Sequence, residues 1–218
     1  MFDLEENKKL AALAKKAEWY ETPVWAAERV LDVELLTPLV VDPCAGRGVL
    51  GNALIAKGYD PQNIIETDLN EWPGQESRVI APIDFLGAGY HQRILPMIAG
   101  ERRDFSVMMN PPFSHATEFV ERSLAMGARK ILMFQRFSFL ESSARRDFWD
   151  KYPPARIWLC GDRANCWRGD VPDEDILDEG GEIITKGKKG RSTPTAHAWF
   201  VWERDQPGSM TVCRLYKE

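Results

Sequence analysis

Four short apolar runs in this chain end in an acid or an amide: Pro38–Asp42, Asn63–Asp68, Val79–Asp84 and Asp104–Asn110. Helical patterns lie between most of them, with one that follows the first run through Ala56 and another over 91–98. Alternation of this kind implies an α/β protein with a doubly wound sheet, whose ligands sit at the carboxyl ends of the strands. Asp42, Asp68, Asp84 and Asn110 all fall at such ends. The alternation continues with a helix over 117–126, a strand over 130–136, a helix over 139–149 and a strand over 155–160. Residues 197–202 and 210–216 read as terminal strands forming an antiparallel edge.

The N-terminal part is helical by pattern. Leu10, Leu13, Ala14 and Ala17 share one face of a helix over 4–20. Thr22 as N-cap with Pro23 at the first helical position predicts a second helix to about Val33. A length of 218 residues fits one domain spanning 1–218, with 161–195 as a long insertion loop. No apolar stretch is long enough for a bilayer, and the acidic start Met1–Glu6 lacks a signal-peptide pattern, so no membrane partner is expected. Cys44, Cys160, Cys166 and Cys213 form no C-x-x-C pair, and with three histidines no metal site is expected. Reduced thiols suit a cytoplasmic location. A net charge of −5 excludes a uniformly basic surface but leaves room for a local basic patch.

Strand, glycine turn and helix follow one another at Pro43-Cys44-Ala45-Gly46-Arg47-Gly48-Val49-Leu50-Gly51, an arrangement that lets a ligand approach backbone at a helix start. The spacing Gly46-x-Gly48-x-x-Gly51 formally satisfies the dinucleotide fingerprint, and Asp68 stands where an acid could take ribose hydroxyls. A nicotinamide or flavin enzyme is therefore one reading. Asp42, closing the strand before the glycines, suits an amino-acid ammonium better than a pyrophosphate, and S-adenosylmethionine has such a group. Arg47, within the loop, is expected to face solvent rather than pair with a carboxylate.

Val107-Met108-Met109-Asn110-Pro111-Pro112-Phe113 is the most distinctive stretch. Proline fixes its own φ and restricts the residue before it, which pushes Asn110 and Pro111 towards extended geometry. The result is a stiff arm presenting the Asn110 amide, the Pro111 carbonyl and the Phe113 ring, suited to a planar group with an exocyclic NH2. A simple turn after a strand is the bland alternative.

Together these residues resemble the DNA adenine-N6 amino-methyltransferases. The likeness rests on Asp42-Pro43-Cys44-Ala45-Gly46-Arg47-Gly48 as cofactor loop and Asn110-Pro111-Pro112-Phe113 as catalytic motif, with Thr22-Pro23, Asp68 and Asp84 in the expected order. It covers roughly residues 20–136, while Phe139-Leu140-Glu141 and Trp199-Phe200-Val201-Trp202 resemble small phage and prophage members. The resemblance implies a Rossmann-like methyltransferase sheet that binds S-adenosylmethionine and a flipped adenine of DNA. Asp42, Gly46 and Gly48, with Pro43 and Ala45 between them, would hold the methionine part, and Thr22-Pro23 would close over it. Asp68 would take the ribose, Asp84 and Phe85 the cofactor's adenine beside Leu69. Asn110 and the Pro111 carbonyl would accept from the target amino group, with Phe113 stacking on the base. The same motif also serves enzymes that methylate guanine N2 in RNA, cytosine N4 in DNA or a protein glutamine. A degenerate, purely binding version of the fold is the non-enzymatic alternative.

The family's separate recognition domain is missing from the pattern, both between Asp84 and Asn110 and after 136. Either target choice is loose, or an accessory partner supplies it, or residues 161–195 read the DNA. That segment is charge-segregated, with acids from Asp170 to Glu182 and then Lys186, Lys188, Lys189 and Arg191. These four are the candidate DNA contacts, on a loop expected to be mobile without DNA.

Overall fold

A computed structural model describes residues 4–99, 104–177, 183–188, 191–204 and 210–218. Its centre is a seven-stranded sheet: β1 (Leu39–Asp42), β2 (Ile64–Glu66), β3 (Phe105–Met109), β4 (Lys130–Arg136), β5 (Arg156–Cys160), β8 (His197–Glu203) and β9 (Thr211–Leu215). The spatial order is β2-β1-β3-β4-β8-β5-β9. Strands β2, β1, β3 and β4 pair in parallel, as expected of a doubly wound sheet.

The expected antiparallel strand is present towards the β9 end of the sheet, two positions in from the outermost strand. β8 runs antiparallel to both β4 and β5, and the outermost strand β9 pairs in parallel with β5. Burial explains the position. His197 to Trp202 are all buried, and a strand apolar on both faces belongs inside a covered sheet. β9 shows water three of its five residues, as an edge strand does.

Helices cover both faces. Alternate strand residues point to opposite sides, so Val40, Met108, Leu132 and Val201 pack against α2 (Val24–Val33) and α3 (Val49–Ala56). Val41, Val107, Met133 and Phe200 pack on the other side against α4 (Gly89–Arg93), α5 (Leu95–Ala99), α6 (Ala116–Ala125) and α7 (Arg146–Lys151). α1 (Leu4–Lys16) stays outside these layers, and Ala14 joins a small cluster with Trp19 and Trp72.

Several predicted elements shrink. The run at 79–84 contributes one parallel bridge, Thr67 to Ile80, at the margin of β2. The helix expected over 139–149 is two 3₁₀ turns followed by α7. The 161–195 segment holds a short hairpin of β6 (Ile176–Leu177) and β7 (Ile183–Thr185). Its residues 178–182, 189 and 190 lie outside the described ones.

Candidate active site

β1 pairs with β2 on one side and β3 on the other, so the chain's winding reverses between β1 and β3. A crevice opens at such a switch point, outside the carboxyl ends of the strands. Asp42 ends one strand and Asn110 follows the other. Between them lies a cleft of about 390 Å³, a volume suited to a small-molecule ligand.

The glycine turn forms one wall. Gly46 (φ +57°) and Gly48 (φ +91°) adopt left-handed conformations that side chains resist. The Gly46 N–H donates to Asp68 Oδ2 over 2.8 Å. The third glycine serves differently, because a Cβ on Gly51 would collide with the carboxylate of Glu66, a buried side chain ion-paired to Arg78. The fingerprint spacing thus places an acid, not a pyrophosphate, against the start of α3.

Three carboxyls gather here. Burial raises Asp42, Glu66 and Asp68 above the ordinary carboxylate range, and Glu66 and Asp68 push Asp42 further up. Asp42 Oδ1 accepts from the Cys44 N–H, while its buried Oδ2 has no partner among the described residues. Asp68 already accepts from Gly46, from the Asn70 N–H (2.8 Å) and from the Trp72 indole (3.0 Å). A carboxylate has about four acceptor positions, so room remains for about one more donor. Such a site favours a cation.

Of the residues assigned to the cofactor, Thr22, Asp42, Pro43, Ala45, Gly46, Asp68, Leu69, Asp84 and Phe85 line the cleft together with Asn110, whereas Pro23 and Gly48 do not. Leu69 is 57% exposed and offers an apolar platform. Asp84 is exposed, and its Oδ1 accepts from the Leu86 N–H. Phe85 is buried in the core, edge-on to Tyr90 and beside Phe119.

The arm after β3 is fixed by distant partners. Asn110 Nδ2 donates to the Tyr20 carbonyl (2.8 Å) and the Thr22 hydroxyl (3.0 Å). A carbonyl only accepts, so the amide nitrogen must lie on that side and Oδ1 remains as an acceptor. Thr22 makes no capping bond to α2, whose N-cap is Pro23. Its hydroxyl serves Asn110 instead. Pro112 lines the cleft; Pro111 is buried and, like Phe113, does not line it. Phe113 packs against Tyr20, with the Arg136 guanidinium 4.0 Å above its ring. Burial leads the causes that raise the Cys44 thiol and push Cys166 up to about 12, which disfavours the thiolate in both.

Residues that sequence reasoning missed cover the cleft. Trp19 stacks on Trp72 at 4.1 Å, and its buried indole N–H has no partner among the described residues. Glu18 accepts from the Ser114 N–H (2.9 Å) and hydroxyl (2.5 Å). No local pattern marks these pairs, because their members lie 53 to 96 positions apart in a chain read residue by residue. Arg47 does not face solvent alone. It pairs with Glu21 at 3.2 Å, donates to the Pro73 and Gly169 carbonyls, and lies 4.9 Å from the Trp19 ring.

The start of the 161–195 segment packs on the same cover. Tyr20 bridges Arg168, and a Cβ on Gly169 would strike Trp19. Lys188 pairs with Asp173 (3.3 Å) and Glu21 (3.7 Å), and Arg191 lies over Trp167. Lys186 is exposed, and Lys189 lies outside the described residues. The two charged halves therefore meet at Lys188. Among the described residues, no group of three or more histidines, cysteines and acids could hold a metal ion. No described helix is long and apolar enough to cross a membrane.

No protein-family model matches the chain, and no curated protein matches it in sequence. Among solved structures it is similar to the methyltransferase subunit of a type I restriction-modification system from Streptococcus thermophilus, with 12% identity and a TM-score of 0.49. That match covers 86% of this chain and 45% of the subunit, so the chain spans under half of the subunit's length. A predicted O-methyltransferase from Agrobacterium tumefaciens follows, with 12% identity, a TM-score of 0.46, and coverage of 90% and 86%. The human methyltransferase 10 domain containing protein gives 10%, 0.44, and coverage of 93% and 98%. At these scores the likeness decides neither chemistry nor substrate.

Proposed function

We propose that this protein transfers a methyl group from S-adenosylmethionine to the N6 amino group of adenine in DNA. One observation carries the reading: the Asn110 amide is held by its nitrogen, which leaves Oδ1 as an acceptor beside an acid-lined cleft. S-adenosylmethionine, when bound, supplies a methyl group on a positively charged sulfur. Its ammonium suits the unpartnered Asp42 oxygen, and its carboxylate suits the unpartnered Trp19 indole. Asp68 retains about one acceptor position for a ribose hydroxyl. Leu69, Asp84 and Phe85 provide the adenine end. A pyrophosphate would meet the Asp42 and Asp68 carboxyls instead, which disfavours a nicotinamide cofactor.

An aromatic amino nitrogen is a poor nucleophile because its lone pair is delocalised into the ring. Asn110 Oδ1 and the Pro111 carbonyl, accepting from that NH2, favour a more tetrahedral nitrogen and offset the positive charge that develops on it. A duplex base must first leave the stack, at a cost of a few kcal/mol. The residual contacts to DNA fall to Lys186, Lys188, Lys189 and Arg191, or to an accessory partner. The competing target is another planar amino group: guanine N2 in RNA, cytosine N4 in DNA or a protein glutamine. The pairing of Lys188 with Glu21 and Asp173 favours the protein glutamine among these, since a neutralised cation is not free for phosphates.

Calorimetry with S-adenosylmethionine and with NAD tests the cofactor. Methyl transfer to DNA, RNA and protein substrates in parallel tests the target. Tight NAD binding with no S-adenosylmethionine binding would overturn the reading, and methylation of protein alone would move it to the competing target.

A further inference from the structure

Arg136 stands out among the charged groups near the cleft. It closes β4, opposite His197 in the antiparallel register. Its guanidinium lies 4.0 Å above the Phe113 ring and 5.9 Å from the Tyr20 ring. Among the described residues it has no carboxylate within ion-pair distance, whereas Arg47 has one and Lys188 has two. Its neighbours do not supply a counter-charge. His197 is pushed down to about 4, by burial first and by Arg136 second, and Cys166 stays a neutral thiol. A half-buried positive charge with no carboxylate partner among the described residues therefore sits on the ring of the Asn-Pro-Pro-Phe arm, next to a cleft lined by the buried acids Asp42 and Asp68.

A guanidinium resting on an aromatic face is weakly hydrated and easily exchanged for another planar group. A base stacking on that face of Phe113 must displace it. The planar fork of an arginine matches a phosphate through two parallel hydrogen bonds. We propose that Arg136 is the phosphate ligand of a nucleic-acid substrate: it holds the Phe113 face in the free protein and moves onto the backbone phosphate beside the target nucleotide as the base takes its place. This rests on the methyl-transfer reading of the same arm, and it adds a contact that acts on the strand rather than on the cofactor.

The test measures binding of an adenine-containing single-stranded DNA oligonucleotide across a salt series. Arg136→Gln is expected to weaken binding about tenfold and to lower the salt slope by about 0.7, the share of one phosphate. S-adenosylmethionine affinity should stay as in the unmodified protein. Arg136→Lys keeps the charge without the planar stack, and should restore most of the slope. A neutral methylphosphonate beside the target adenine should weaken the unmodified protein and leave Arg136→Gln unaffected. An unchanged slope in Arg136→Gln overturns the proposal, as does a chain that binds no oligonucleotide at low salt. Arg136-dependent oligonucleotide binding without S-adenosylmethionine binding would instead sink the methyl-transfer reading and leave the phosphate contact standing.

Discussion

The Thr22 hydroxyl accepts a 3.0 Å hydrogen bond from the side-chain amide of Asn110, 88 positions later in the chain. With the Tyr20 carbonyl it takes up the donor side of the amide and leaves Oδ1 as an acceptor. Thr22 is in this sense a positioning residue. Thr22→Val keeps the shape and removes the acceptor, so one Asn110 N–H loses its partner at a cost of about 1–3 kcal/mol. Turnover is expected to fall about tenfold, with S-adenosylmethionine affinity little changed, and Thr22→Ser should recover it. A drop in cofactor affinity matching the drop in rate would place Thr22 in the cofactor site instead.

Asn110→Ala removes the acceptor itself. Methyl transfer should fall by roughly 10²–10³-fold, the usual effect of deleting one preorganised polar contact to a transition state. Isothermal titration should find cofactor binding intact. Equal losses in both would make Asn110 a structural residue.

The Asp42 carboxyl makes stability depend on pH. Its value is raised above the ordinary 3.8 chiefly by burial, so the folded protein keeps a proton that the unfolded chain releases. That contribution is fully present below 3.8 and is lost as pH rises through the raised value. Asp42→Asn carries no proton to lose. Its stability relative to the unmodified protein should grow with pH by up to roughly 1.4 kcal/mol per unit, then level off. Urea unfolding of both proteins from pH 4 upwards measures the difference. A constant difference would show that Asp42 is ionised throughout.

Gly51→Ala should destabilise the fold by about 1–3 kcal/mol, as overpacking a buried site does. The new methyl meets the Glu66 carboxylate, which Arg78 holds in place. In a Glu66→Ala background the same substitution should cost much less, and a double-mutant cycle reads the coupling. If Gly51→Ala costs as much in both backgrounds, the third glycine is needed for helix packing and not for the acid.

Replacing Lys186, Lys188, Lys189 and Arg191 with Ala should lower the salt slope of DNA binding by about one unit for each phosphate no longer neutralised. Lys188 is already paired with Asp173 and Glu21, so its share should appear only if DNA displaces those acids. An unchanged slope would mean that the duplex is held elsewhere.

Much of the molecule follows from local pattern. The apolar runs ending at Asp42, Asp68 and Asn110 place those groups at one end of a parallel sheet, because strand direction and a period of two are properties of short segments. The left-handed turn at Gly46 and Gly48 is local in the same way. What only the tertiary structure decided are the partners: Thr22 turned from helix cap to anchor of Asn110, Arg47 tied to Glu21, Trp19 stacked on Trp72, and Arg136 over Phe113. A hydroxyl, a guanidinium or an indole can satisfy its donors and acceptors in many ways, all of similar energy in the isolated segment. Packing against residues far along the chain removes all but one of them, and that choice leaves no trace in the spacing of the sequence.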